Sequence, residues 1–181
     1  DRDYPALYLE ELLALRDFDA LDDDTMVDYV TRALVDPTSR RPSIETLLHG
    51  FLPAKHIDHV HADAICALTN HPQGEKAVRE ALGEEFAYVD WIRPGFELSK
   101  LVGGLGDYAG VVLAHHGLVV WDEDSDRCYQ KTLDAVALAD KYLDSLNKRP
   151  AANFQHQDLP DEELKDLLLK LRGTLGKKQL L

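Results

Sequence analysis

Positive charge is in short supply in this 181-residue chain: 20 lysines and arginines stand against 33 aspartates and glutamates, a formal net charge of -13. Binding to nucleic acid or to an anionic membrane draws most of its affinity from cationic side chains set against phosphate, so the sequence argues against both partners. Long apolar runs are missing too. No stretch approaches the roughly 20 residues that a bilayer-spanning helix needs, and no signal sequence precedes the first helical pattern. Cysteine is nearly absent. Cys66 and Cys128 are the only two, each inside an apolar helical pattern, and they read as small buried thiols, not as a disulfide or metal ligands, which fits a cytoplasmic protein. A chain of this length buries a core without such staples and is most economically one domain. An initiating methionine is also absent: the chain begins at Asp1 and enters a helical pattern almost at once, so upstream residues are expected in the parent protein.

What is present alternates between helix and strand signals. Leu9, Leu12 and Leu13, then Met26, Val30, Ala33 and Leu34, recur at helical spacing, with Asp22 to Asp24 as acidic caps before the second helix. After Pro37 and the Arg40-Arg41-Pro42 break, Ser43 is expected to N-cap a short helix through Leu47 and Leu48 to Gly50, with Glu45 in its first turn. His56 to His61 reads as a strand and 62–70 as a helix. Helices are expected over 74–82, 96–102 and 125–146, and strands over 86–90, 110–114 and from Leu118 to Trp121. Pro150 ends the long helix, 151–159 is a polar connector, and Leu164, Leu167, Leu168 and Leu171 mark a last amphipathic helix stopping at Gly173. There is no internal repeat. The mixture argues for a sheet covered by helices on both sides, without deciding whether its strands run parallel or antiparallel.

The chemistry-bearing feature is His59-Val60-His61 read with His115-His116-Gly117. Side chains two apart on a strand share a face, so His59 and His61 can chelate one divalent ion. Alternation puts His115 and His116 on opposite faces, so at most one of them joins from a regular strand. Three imidazoles leave a coordination position open for substrate, as in catalytic zinc sites. Glu45 is not selected by position alone, since acidic residues in a first helical turn commonly complement the helix dipole. His49, one turn on, is expected to pack beside the site, and His56, Asp58 and Asp63 to face solvent. His71 and His156 lie in loop-like contexts and receive no role. Arg40, Arg41, Lys55, Arg93 and Lys100 are the nearest cations for an anionic substrate, and read as ordinary solvated side chains.

Pro42-Ser43-Ile44-Glu45, His59-Val60-His61 and His115-His116-Gly117-Leu118 together resemble the class II aldolase/adducin family in order and approximate spacing. Three longer stretches, beginning at Arg41, Lys55 and Ile92, are similar to the aldolase domain of bifunctional rhamnulose-1-phosphate aldolase/alcohol dehydrogenases. The resemblance covers most of the chain, from the first helix to the end of the long one. It implies a three-layer αβα α/β fold around a mainly antiparallel sheet. It implies His59, His61 and His116 as metal ligands, most simply of Zn2+, and Glu45 as the carboxylate that approaches the metal and serves as acid/base. The implied activity is cleavage of a ketose 1-phosphate of the rhamnulose or fuculose type to dihydroxyacetone phosphate and an aldehyde. A homotetramer with sites between subunits is implied as well, a partner subunit supplying a tyrosine. An adducin-like interaction module, or a sugar-phosphate epimerase or dehydratase on the same ligands, is the alternative. Two departures from the family pattern stand out within residues 1–181: they include no Gly-rich phosphate loop ahead of the matched stretch, and they stop soon after Leu171 to Gly173, where the bifunctional enzymes continue into a dehydrogenase domain. Residues 1–181 are therefore read as one aldolase-type domain lacking its N-terminal part, with 160–181 a terminal helix and linker to a further domain.

Overall fold

The computed structural model describes residues 4–146 and 160–176. The chain divides into two units, Asp1–Asn147 and Lys148–Leu181. The first contains α1 (Leu9–Leu13), a 3-10 turn (Ala14–Asp17), α2 (Asp23–Arg32), α3 (Thr46–Phe51), β1 (His56–Val60), α4 (Asp63–Thr69), α5 (Gly74–Leu82), β2 (Phe86–Val89), α6 (Phe96–Val102), β3 (Gly110–Leu113), β4 (Gly117–Asp122) and α7 (Ser125–Leu146). The second contributes α8 (Asp161–Gly176). Among the described residues no helix is long and apolar enough to cross a membrane.

The four strands form one sheet in the order β1-β4-β3-β2. β4 runs antiparallel to both neighbours, and β2 pairs with β3 in parallel. Two of three pairings are thus antiparallel, and the implied three-layer αβα arrangement is what the chain adopts. The sequence dictates this through the strands' two apolar faces. Val112, Leu118 and Val120 pack on one side with Ile65 of α4, Val78 of α5, and Cys128 and Ala135 of α7. Val111, Leu113, Val119 and Trp121 pack on the other with Leu48 of α3 and Leu98 and Val102 of α6. Strands covered on both faces lose the polar alternation of a half-exposed sheet, which is why β3 and β4 read as continuous apolar runs. Each fully buried Val or Leu contributes roughly 1.5–3 kcal/mol of transfer free energy. A third cluster lies beyond α3, where Leu47 and Phe51 meet Leu12, Leu15, Met26 and Val30. α3 is therefore buried on two sides.

Local signals account for most boundaries. Asp22 caps α2 by accepting from the Thr25 N–H at 2.9 Å. Asp122, at the end of β4, accepts from Arg127 at 2.7 Å and pairs with Lys131 at 2.7 Å, which ties the first turns of α7 to the sheet. The Arg127 hydrogen bond, followed by that from Lys131, holds the Asp122 carboxyl well below the usual carboxylate range.

Four expectations need correction. Ser43 does not cap α3. It opens a turn whose carbonyl accepts from Thr46, and the helix starts at Thr46 with Glu45 in the N-cap position. The strand signal over-reached by one residue, because β1 ends at Val60 and His61 lies just beyond it. Asp58 does not face solvent: it sits half-buried on the α7 side of β1, where Thr132 Oγ1 donates to its Oδ2 at 3.2 Å. The last helix runs through Gly173 to Gly176, since nothing crowds that glycine, and a mid-helix glycine costs only about 1 kcal/mol relative to alanine. Of the thiols, Cys128 is buried as expected while Cys66 is half-buried, and both are free. Pro150, the 151–159 connector and His156 lie outside the described residues.

Candidate metal centre

Three parts of the first unit meet at the α3 end of β1. His59 stands opposite Val119 in the β1–β4 register, and His61 follows on the same face after the strand has ended. His116 closes the β3–β4 hairpin, and Glu45 begins α3. Their ligand atoms all lie within 4.8 Å of one another. His59 Nε2 is 3.1 Å from His61 Nε2 and 3.2 Å from Glu45 Oε1, and His116 Nε2 is 2.9 Å from the same carboxylate oxygen. The side chains of His59, His116 and Glu45 are 6%, 11% and 21% exposed, so the cluster is shielded but reachable.

The donor set fits a divalent cation. Metal–nitrogen bonds of about 2.0–2.1 Å in a tetrahedron place neighbouring donors about 3.3 Å apart, close to the separations here. His59 is also prepared on its far side: Nδ1 donates to the Leu118 carbonyl at 3.0 Å, which fixes the tautomer whose Nε2 lone pair faces the other ligands. Three imidazoles and a carboxylate aimed at one point form an arrangement that a shared cation stabilises and that their lone pairs alone oppose.

Electrostatics support the same geometry. The hydrogen bond from His59 holds the Glu45 carboxyl at about 2, against the opposing effect of burial. Burial lowers the His59 pKa, but the Glu45 hydrogen bond and the Leu118 carbonyl outweigh it, and the ring stays protonated above the ordinary histidine range. Burial, helped by neighbouring His59, pushes His116 the other way. In the metal-free chain a cation must therefore displace a proton from His59. Zinc affinity is expected to fall as pH drops below that raised value, by up to about tenfold per pH unit for each proton displaced, and to level off above it. Chelator-competition titrations from about pH 5.5 to about pH 8 check this, and a flat profile would contradict it.

The hairpin explains why His116 and not His115 joins the cluster. His115 has φ 56°, among the described residues the one non-glycine in the left-handed region. The chain reverses there, and His115 Nδ1 turns away to Asn70 Oδ1 at 2.6 Å. The His115/His116 alternative, open to strand alternation, is closed by this turn. Gly117 has an equally definite reason. A Cβ at that position would stand 2.4 Å from the Val60 carbonyl oxygen and 3.0 Å from His61 Cδ2. Gly117→Ala should destabilise the fold by about 1–3 kcal/mol through overpacking and displace His61. Thermal unfolding alongside zinc titration tests it; wild-type values in both would show that β1 and the hairpin yield freely.

The remaining sequence expectations sort cleanly. His49 packs beside His59, its ring 6.5 Å away edge-on, and donates nothing to the cluster. Lys55 pairs with Glu123 at 3.1 Å, Arg93 pairs with Asp23, and Lys100 donates to the Phe18 carbonyl. Arg40 and Arg41 lie exposed in the turn ahead of Ser43. Sequence reasoning missed the Leu118 carbonyl and Asn70. The first is a backbone group with no residue signature, and the second sits at a helix end, where asparagine is unremarkable.

An αβα sandwich that gathers three imidazoles and a carboxylate at one point defines a protein equipped to hold a divalent metal. Residues 15–143 match the model of the Class II Aldolase and Adducin N-terminal domain, and the chain belongs to that family. It is 38% identical over 186 residues to the uncharacterized oxidoreductase YuxG of Bacillus subtilis (strain 168), across 97% of this chain and 27% of that protein. The chain thus spans about a quarter of that relative's length. The N-terminal class II aldolase domain of a conserved protein from Thermoplasma acidophilum superposes with a TM-score of 0.74 at 33% identity, over 78% of this chain and 67% of that one. YgbL of Klebsiella pneumoniae, whose description offers aldolase, epimerase and decarboxylase as alternatives, shares the fold: TM-score 0.50, 23% identity, 74% of this chain and 68% of that one.

Proposed function

We propose that this chain is a metal-dependent aldolase acting on a ketose 1-phosphate of the rhamnulose or fuculose type, releasing dihydroxyacetone phosphate and an aldehyde. The observation that carries the reading is the convergence of His59, His61, His116 and Glu45 within 4.8 Å in a member of this family. His59, His61 and His116 would hold the cation, for which zinc suits three imidazoles best. Bound there, a divalent cation supplies electrostatic stabilisation to the oxygen that gains negative charge as the carbon–carbon bond breaks. Glu45, which lies within 4.8 Å of those ligand atoms, would serve as the proton-exchanging base at the carbon that becomes nucleophilic.

The resemblance of the stretches beginning at Arg41, Lys55 and Ile92 to the aldolase domain of bifunctional aldolase/alcohol dehydrogenases supports the choice of substrate. Two free thiols support a cytoplasmic setting. An open cleft of about 520 Å³ beside His59, walled in part by Ile57, Val60, Tyr129, Leu133 and Val136, is where a neighbouring subunit would close the site in the homotetramer that the family resemblance implies.

The test is direct. The 181-residue chain, loaded with zinc, is assayed for retro-aldol cleavage of several ketose 1-phosphates, with its mass in solution measured alongside. Release of dihydroxyacetone phosphate that stops on chelation supports the proposal. Metal binding with epimerisation or dehydration in its place would transfer the site to another reaction, and absence of bound metal would favour an adducin-like interaction module.

A further inference from the structure

We infer that Asn70 and His115 form a positioning clamp that aims His116 at the metal. The inference rests on the proposed metal site and extends it to two residues outside the ligand set. Left-handed backbone is disfavoured at a residue with a side chain and persists only where the surroundings enforce it. At His115 the enforcement is visible. Its ring nitrogen donates to Asn70 Oδ1 at 2.6 Å, a long-range bond between the hairpin and the C-terminal end of α4. Cys66, one turn earlier on α4, reaches the next carbonyl, its Sγ 3.5 Å from His116 O. On the strand side the His116 N–H donates to the Leu113 carbonyl at 3.2 Å. The reversal is thus gripped from both sides, and its direction decides where the His116 ring points.

Asn70 contributes to the clamp through its side chain alone. Its backbone N–H already closes α4 onto the Cys66 carbonyl at 2.9 Å, so changing the side chain leaves the helix end intact. Without the Asn70 acceptor, the φ of 56° at His115 loses its compensation and the hairpin is free to relax toward ordinary backbone. His116 Nε2 would then leave its place 2.9 Å from Glu45, and the ligand set would drop toward two imidazoles.

The experiment compares wild type, Asn70→Leu, Asn70→Asp and His115→Ala for Zn2+ affinity by chelator competition and for the visible spectrum of the Co2+ form. Asn70→Leu is expected to weaken zinc binding about 10- to 100-fold, the usual range for losing a group that orients a ligand, and to shift the Co2+ bands as His116 leaves. Asn70→Asp keeps an acceptor and should stay within about threefold of wild type. His115→Ala keeps a Cβ that disfavours left-handed backbone and carries no ring to reach Asn70, so it should resemble Asn70→Leu. If Asn70→Leu fails to fold, His115→Ala decides by the same two readouts. Wild-type affinity and an unshifted Co2+ spectrum in the variant that decides would overturn the clamp. Failure of the wild-type chain to bind either metal would instead overturn the metal site itself.

Discussion

His59→Ala abolishes stable metal loading. This is the largest effect expected of any single substitution here, because His59 is the member of the cluster through which the others are joined. Its Nε2 lies 3.1 Å from His61 and 3.2 Å from Glu45, and its Nδ1 ties the site to the sheet through the Leu118 carbonyl at 3.0 Å. Zinc held by four protein ligands binds with about 10–16 kcal/mol, so one ligand accounts for roughly 3–4 kcal/mol and its loss for about 100- to 1,000-fold in affinity. The substitution also leaves the Leu118 carbonyl without its side-chain donor and opens a space beside His49. Metal analysis after dialysis gives the answer. Stoichiometric zinc in both wild type and His59→Ala would place the ion elsewhere.

Glu45→Gln should separate loading from chemistry. Glutamine keeps the shape and an acceptor oxygen, so the three imidazoles retain their metal. It cannot exchange a proton, and a general acid/base contributes typically 10²–10⁴-fold. The expected variant therefore binds zinc stoichiometrically, holds KM within a small factor and loses about two to four decades of kcat. In the metal-free chain the hydrogen bond from His59 holds the Glu45 carboxyl at about 2. Activity lost on mild acidification should track metal release from the histidines, and excess zinc should restore part of it. Equal turnover in wild type and Glu45→Gln would remove the carboxylate from the mechanism.

Much of the scaffold was legible because its signals are local. The N-cap at Asp22 and the apolar runs of β3 and β4 are written in neighbouring residues, and the expected α5, α6 and α7 boundaries coincide with those observed. His59 and His61 were legible for the same reason, since strand alternation puts them on one face. The rest of the site depends on distance in sequence. Glu45 became a candidate through family resemblance, because nothing local distinguishes a carboxylate that meets two histidines from one that faces water. The choice of His116 over His115 turns on one left-handed residue, whose partner Asn70 belongs to another helix. Asp58 was misplaced because an edge strand looks exposed until α7 is laid over it. Ser43 was misread as a cap because capping residues also open turns, and the two motifs share a composition.

The ligands come from the start of a helix on one layer, the border of the sheet and the tip of a hairpin, segments that the polypeptide links only through long excursions. A cation held among them would bind the native chain and not the unfolded one, adding to the strand pairing and core packing that already join those regions. Folding and loading would then be one coupled equilibrium, with each decade of free metal above the dissociation constant adding about 1.4 kcal/mol to the native state.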